Sequence, residues 1–168
     1  IINSQRPEYC LQSDAWISLD INGGSSPYTY LWSNGAQSDS ISGLSEGLYL
    51  LTITDYNNCI HLRTYVIDSI GPPDVTFNIN DLCSGEIFNV VGVDTQNRVL
   101  NWVWDNGNGQ QQLGNPVNLS YADTGIYIVK LSVEDSFGCI DSTEHLINVY
   151  PLPEISLELD TSWGCEEL

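Results

Sequence analysis

Five cysteines carry the most distinctive chemistry in this 168-residue chain: Cys10, Cys59, Cys83, Cys139 and Cys165. No two stand at CxxC spacing, so neither a zinc site nor a redox pair is indicated. Cysteines this far apart are disulfide candidates, and disulfides persist in oxidising, extracellular or periplasmic surroundings. An internal repeat supplies the expected partners. Tyr28-Thr-Tyr-Leu-Trp32-Ser-Asn34-Gly35, Gly47-Leu-Tyr49 and Thr52–Asp55, ending at Asn58-Cys59, return as Asn101-Trp102-Val-Trp104-Asp-Asn106-Gly107, Gly125-Ile-Tyr127 and Leu131–Asp135, ending at Gly138-Cys139. Cys10 and Cys83 open the two copies. The repeat therefore predicts disulfides Cys10–Cys59 and Cys83–Cys139, each closing a loop of about fifty residues and contributing on the order of 4 kcal/mol in the chain-entropy picture. Cys165 stands where a third copy would open, unpaired in this segment, its partner expected beyond Leu168.

Other reactive side chains are sparse. His61 and His145 fall at different offsets from their module cysteines and in strand-like segments, which suits structural histidines better than general bases. No Gly-x-Ser-x-Gly elbow, phosphate-cradling glycine loop or HExxH occurs. Carboxylates are too abundant for any pair to mark a glycosidase. The reading is therefore of a chain with no catalytic residues and no obligate cofactor. Calcium is the one ion its oxygen donors could take: Asp55, Asp74, Asp81, Glu86, Asp94, Asp105 and Asp135 fall in predicted loops or near joints, without an EF-hand spacing. Ser40, Ser69 and Ser142 lie in Asp-Ser-Ile or Asp-Ser-Thr triplets and are candidate O-glycosylation acceptors.

The elements that must position these groups are strands. Ala15–Ile21 alternates apolar and polar residues, Asn22–Pro27 reads as a turn, and Tyr28, Tyr30 and Trp32 share a face. Asn34-Gly35 is a hairpin signal. Strands are expected around Ser38–Ile41 and over Leu48–Thr54 and Cys59–Ile67, then, in the second copy, over Val75–Ile79, Ile87–Val93, Val99–Asp105, Val117–Tyr121, Ile126–Glu134 and Ser142–Val149. Ile155, Leu157 and Leu159 repeat the alternation of Val75, Phe77 and Ile79. Pro72-Pro73 and Pro151-Leu-Pro153 suit stiff joints. These joints set modules at 1–71, 72–151 and 152–168. The expected architecture is all-β: tandem immunoglobulin-like β-sandwiches, two modules plus the first strand of a third. Tyr127 and Tyr49 take the place of a tyrosine corner, and Trp32 and Trp104 that of a core tryptophan packed on a disulfide; as exposed residues they would instead make a sugar-stacking platform. Trp16 reads as a surface or interface aromatic.

Twenty-two acidic residues face four basic ones, a formal charge of −18. This disfavours nucleic acid and anionic membrane surfaces as partners. No apolar run approaches the length of a membrane span, and Ile1-Ile-Asn-Ser4 does not open like a signal peptide.

From Gly23 to Cys59 the chain resembles the SprB-type repeat of Bacteroidota surface proteins, through Gly23-Gly-Ser-Ser-Pro-Tyr-Thr-Tyr-Leu-Trp-Ser-Asn-Gly35, Ile41-Ser-Gly-Leu44, Gly47-Leu-Tyr49, Thr52-Ile-Thr-Asp55 and Asn58-Cys59. The second module resembles a PKD (polycystic kidney disease) domain, an immunoglobulin-like sandwich. Trp104-Asp-Asn-Gly-Asn-Gly109 stands where that family often carries Trp-Asp-Phe-Gly-Asp-Gly, with Asn in place of Phe and of the second Asp. The resemblance implies a giant cell-surface protein of the gliding-adhesin kind, exported by type IX secretion. Within it this chain would be a non-catalytic spacer whose partners are neighbouring modules, surface polysaccharide or other surface proteins. The alternatives are a carbohydrate- or protein-binding module appended to a secreted enzyme, and a self-assembling fibre subunit joined through edge strands.

Overall fold

The computed structural model describes residues 2–156, and all regular structure among them is β-strand. The first module is two three-stranded antiparallel sheets. One orders Ile2–Arg6, Ala15–Asp20 and Ser40–Leu44; the other orders Thr29–Trp32, Gly47–Thr54 and Ile60–Ile67. Alternation along each strand sends Ala15, Ile17, Trp32, Ile41, Leu44, Leu51, Ile53, Tyr65 and Ile67 into one core. Ile2–Arg6, apart from Ile2, is polar and gives no apolar period, so sequence alone did not reveal it. It forms because its backbone completes the edge beside Ala15–Asp20.

The second module has a five-stranded sheet ordered Leu82–Cys83, Ile140–Tyr150, Gly125–Asp135, Val99–Asp105 and Gln111–Leu113. Facing it are two short pairs, Ile87–Val90 with Val117–Ser120 and Gly92–Asp94 with Val75–Phe77. The single strand expected over Ile87–Val93 is thus split, because the chain changes partner at Gly92. A Cβ on Gly92 would lie 2.3 Å from the Trp102 ring, so only glycine lets the tryptophan in. The Asn115 side chain bridges the break: the Gly92 N–H donates to its Oδ1 at 2.8 Å and its Nδ2 donates to the Gly92 carbonyl at 2.7 Å. Phe77, Trp104, Leu119, Val129 and Leu131 are fully buried in this core.

The two tryptophans that repeat in register are core residues, Trp32 at 2% and Trp104 at 0% exposure. Each satisfies its indole N–H on a carbonyl, Ser38 at 2.9 Å and Gly114 at 3.0 Å. Neither packs on a disulfide as expected. Trp32 lies against Tyr65 and Trp104 against Phe77. Both tyrosine corners form: Tyr49 donates to the Ser45 carbonyl and Tyr127 to the Asp123 carbonyl, each at 3.0 Å. His145 packs edge-on against Phe77, a structural place.

The expected pairings Cys10–Cys59 and Cys83–Cys139 are not made. The structure bonds Cys10 to Cys139, with Cys59 and Cys83 free. The fold supplies the reason. Cys59 precedes the eight-residue strand Ile60–Ile67, whereas Cys10 lies beyond that strand's far end, its N–H bonded to the Ile70 carbonyl at 2.9 Å. At about 3.3 Å per residue the two ends are roughly 26 Å apart, far beyond the roughly 7 Å that a disulfide spans between Cα atoms. In the second module Cys139 precedes Ile140–Tyr150 and Cys83 pairs with Tyr150 at its other end, so the same argument holds. Of the third module, Pro151–Ser156 carries no strand, and Leu157, Leu159, Trp163 and Cys165 lie outside the described residues.

Candidate functional site at the module joint

The opening turn of the first module is shaped for presentation. Glu8–Tyr9 runs parallel to Ser69–Ile70, which places Cys10 beside the exit to the second module. Cys10, Leu11 and Ser13 all have positive φ, 54°, 58° and 53°. Side-chain carboxylates hold this tight turn. Buried Glu8 accepts the N–H of Ser13 at 2.7 Å and of Glu46 at 3.0 Å, and Asp14 accepts the N–H of Tyr9 at 2.8 Å. Arg6 closes on Asp14 at 2.6 Å.

Opposite stands the loop Asp135–Cys139. One oxygen of Asp135 accepts the N–H of Phe137 at 2.8 Å and of Cys139 at 2.9 Å, while the Asp135 backbone pairs with Cys139 and Gly138. This Asx-type loop fixes Cys139, which is fully buried against the first module. The disulfide has Cα atoms 5.2 Å apart. Beside it Tyr9 and Phe137 stack with centroids 4.9 Å apart and planes 15° off parallel. Arg6 lies over the Tyr9 ring at 5.4 Å and Arg98 over the Phe137 ring at 5.7 Å. The result is a four-layer stack, guanidinium, ring, ring, guanidinium, crossing the joint. Arg98 also donates to the Gly71 carbonyl of the linker at 2.8 Å and pairs with buried Asp135 at 3.2 Å. Two of the chain's four basic residues are therefore committed to one joint. With proline φ fixed at 72 and 73, these contacts oppose bending and twisting between modules.

The expected calcium donors serve other ends. Asp55 caps its loop, held below the usual carboxylate range by N–H bonds from Cys59 and Ser25. Asp94 accepts the N–H groups of Gln96, Arg98 and Val99, and Asp105 accepts that of Gly107. Asp81 is lowered by bonds from Asn148, Glu86 accepts the Cys83 N–H, and Asp74 faces the Thr95 hydroxyl. Among the described residues these carboxylates do not gather into a cluster able to hold an ion. Of the glycan acceptors, Ser40 and Ser142 are exposed, whereas the Ser69 hydroxyl is buried in the pairing with Glu8–Tyr9 and is out of an enzyme's reach.

Sequence reasoning missed the role of Arg6, Glu8, Tyr9, Arg98 and Phe137. The scarcity of basic residues was the available signal: an Arg in so acidic a chain needs a reason, and Arg6 stands three residues before the Tyr9-Cys10 pair, whereas nothing near Arg98 in the sequence points to Phe137.

Comparison with known families separates the two halves in the same way. Residues 2–37 match the family described as the SprB repeat, and residues 71–149 match the PKD domain. The first module is thus similar to the SprB repeat and the second to the PKD domain, and they carry those names below as labels. The SprB sandwich runs on past the matched residues to Ile70. No curated protein matches the chain. Among solved structures, one reported under the structural basis for promiscuous specificity of carbohydrate-binding modules from the β-sandwich superfamily is 26% identical over 48% of this chain. The match spans 34% of that longer chain, with a TM-score of 0.42. The PKD1 domain of Vibrio anguillarum Epp is 25% identical, covering 48% of this chain and 96% of its own, TM-score 0.41. The PKD1 domain of the Vibrio cholerae metalloprotease PrtV is 26% identical, covering 46% and 94%, TM-score 0.36.

Proposed function

We propose that this SprB–PKD pair is a non-catalytic repeat section of a large secreted cell-surface adhesin, a stiff spacer that holds an adhesive region away from the cell, of the kind used in gliding or surface attachment. The observation that carries the reading is the Cys10–Cys139 bond: it ties one module to the next rather than bracing either alone. A covalent tie between successive sandwiches adds to bending stiffness, which a spacer needs and an isolated binding module does not. The disulfide also favours an oxidising, extracellular location. Its neighbours in the assembly would be further modules of the same chain, with surface polysaccharide or other surface proteins at the adhesive end. The reading as a carbohydrate-binding module loses its two best stacking candidates, since Trp32 and Trp104 are buried.

Residual dipolar couplings test the stiffness. In the oxidised chain, amides of both modules should fit one alignment tensor. In Cys10→Ser the two modules should need separate tensors with smaller magnitude in one. Separate tensors in the oxidised chain would overturn the spacer reading.

A further inference from the structure

The loop that receives Cys10 exists twice. In the SprB module, Asp55-Tyr-Asn-Asn-Cys59 is built as Asp135-Ser-Phe-Gly-Cys139 is in the PKD module. The aspartate N–H reaches the cysteine carbonyl at 3.1 Å in one and 2.9 Å in the other. The fourth residue, Asn58 or Gly138, has positive φ, 61° or 81°, and donates back to the aspartate carbonyl at 3.0 or 3.1 Å. One aspartate oxygen takes the N–H of the third residue, Asn57 or Phe137, at 2.9 or 2.8 Å, and that of the cysteine at 2.9 Å in both. Even the outer brace corresponds: Tyr56 donates to the Ser25 carbonyl as Ser136 does to Arg98.

Their surroundings differ. Cys139 is fully buried under the opening turn of the module before it, whereas Cys59 is exposed and free and Tyr56 is 70% exposed. Beside Cys59 lies an open cavity of about 370 Å³ lined by Ile21, Tyr28, Ile53, Asp55 and His61. At the opposite end of the pair, Cys83 is free on the short strand that pairs in parallel with the last residues before the Pro151 joint. That is where Cys10 sits relative to the Pro72 joint, with the thiol one register position earlier, since Cys83 faces Tyr150 as Tyr9 faces Ile70.

From this correspondence we infer that the Cys59 loop is a docking site for the opening turn of another such module, closed by a disulfide to its opening cysteine. In a solution of this chain alone, the occupant is a second copy presenting Cys83. Each module then bonds through its loop cysteine to the module before and through its opening cysteine to the module after, a covalent chain running alongside the peptide backbone. The inference rests on the spacer reading for its biological sense only. The bond forms by exchange with a disulfide oxidant such as oxidised glutathione: the Cys59 thiolate displaces one glutathione thiolate, and the Cys83 thiolate then displaces the second, so that two protein thiols are oxidised and one glutathione disulfide is reduced to two thiols.

The test uses the chain carrying Cys165→Ser, which leaves Cys59 and Cys83 as its free thiols, at high concentration in a glutathione redox buffer, with linked peptides mapped by mass spectrometry without reduction. Docking predicts open-ended ladders linked Cys59 to Cys83, in about tenfold excess over the share expected from random pairing, and dimers at most when Cys59→Ser is added. Cys59–Cys59 and Cys83–Cys83 links at their random share, or no linked chains, would overturn it. If linkage fails while the oxidised chain still fits one alignment tensor, the docking inference falls and the spacer reading stands.

Discussion

Replacing Cys139 by Ser should change how the two modules melt together, not merely how well each one melts. Consider the PKD module unfolding while the SprB module stays folded. Cys10 is then held beside Ile70, so the cross-link closes a flexible loop of about seventy residues, from Ile70 to Cys139. In the chain-entropy picture this raises the cost of that event by about 4 kcal/mol. Unfolding of the SprB module alone is opposed by nearly the same amount. When both unfold, the bond closes the whole span of 129 positions between the cysteines, worth about 5 kcal/mol. Nearly all of the effect therefore falls on whichever module unfolds first, and about 1 kcal/mol or less on the second. The oxidised chain should show one merged calorimetric transition. Cys139→Ser, or reduction of the wild type, should release the less stable module to melt by itself, about 15–30 °C lower for a domain of this size, while the upper transition moves by only a few degrees. Two separate transitions in the oxidised chain, both unmoved by reduction, would refute the reasoning. So would two transitions that fall by equal amounts, the signature of one bond within each module.

Three further outcomes follow from particular contacts. Phe137→Ala removes the ring between Tyr9 and Arg98, about 1–2 kcal/mol of joint contact, so the effective molarity of Cys10 toward Cys139 in glutathione buffers should fall about tenfold, with little change in the melting of the reduced chain. Gly107→Ala places a Cβ 2.5 Å from the Ile128 carbonyl oxygen at a φ of 73° and should cost about 2–4 kcal/mol in PKD-module stability by denaturant titration; a cost below 0.5 kcal/mol would contradict the packing described. Asp55, Asp81 and Asp94 are lowered in the folded state, so the unfolded chain takes up their protons first as pH falls. Their contribution should be whole above about pH 4 and fade as pH drops through the lower folded values, seen as a declining denaturant midpoint that Asp94→Asn makes less steep.

The sandwiches were legible because their signals are local. Alternation placed Ala15, Ile17, Trp32 and Leu51 in one core, and the Gly-x-Tyr steps foretold Tyr49 and Tyr127 as corners. What stayed hidden depends on distance along the strands. The repeat tells which cysteine opens a module and which closes its last hairpin, but those roles are the same whether bonding is within a module or between neighbours. Only the parallel pairing of Glu8–Tyr9 with Ser69–Ile70 puts Cys10 at the exit end, a strand length from Cys59, and a two-residue strand leaves no period to read. The Arg6–Tyr9–Phe137–Arg98 stack was hidden for a similar reason, since its members come together only when two modules are set against one another.

Peptide mapping of the native chain without reduction tests the central claim most directly. A linked pair of peptides containing Cys10 and Cys139, with neither Cys59 nor Cys83 joined to either of them, is the predicted result. Peptides joining Cys10 to Cys59 and Cys83 to Cys139 would contradict it, and with it the clamp on which the stiff joint depends.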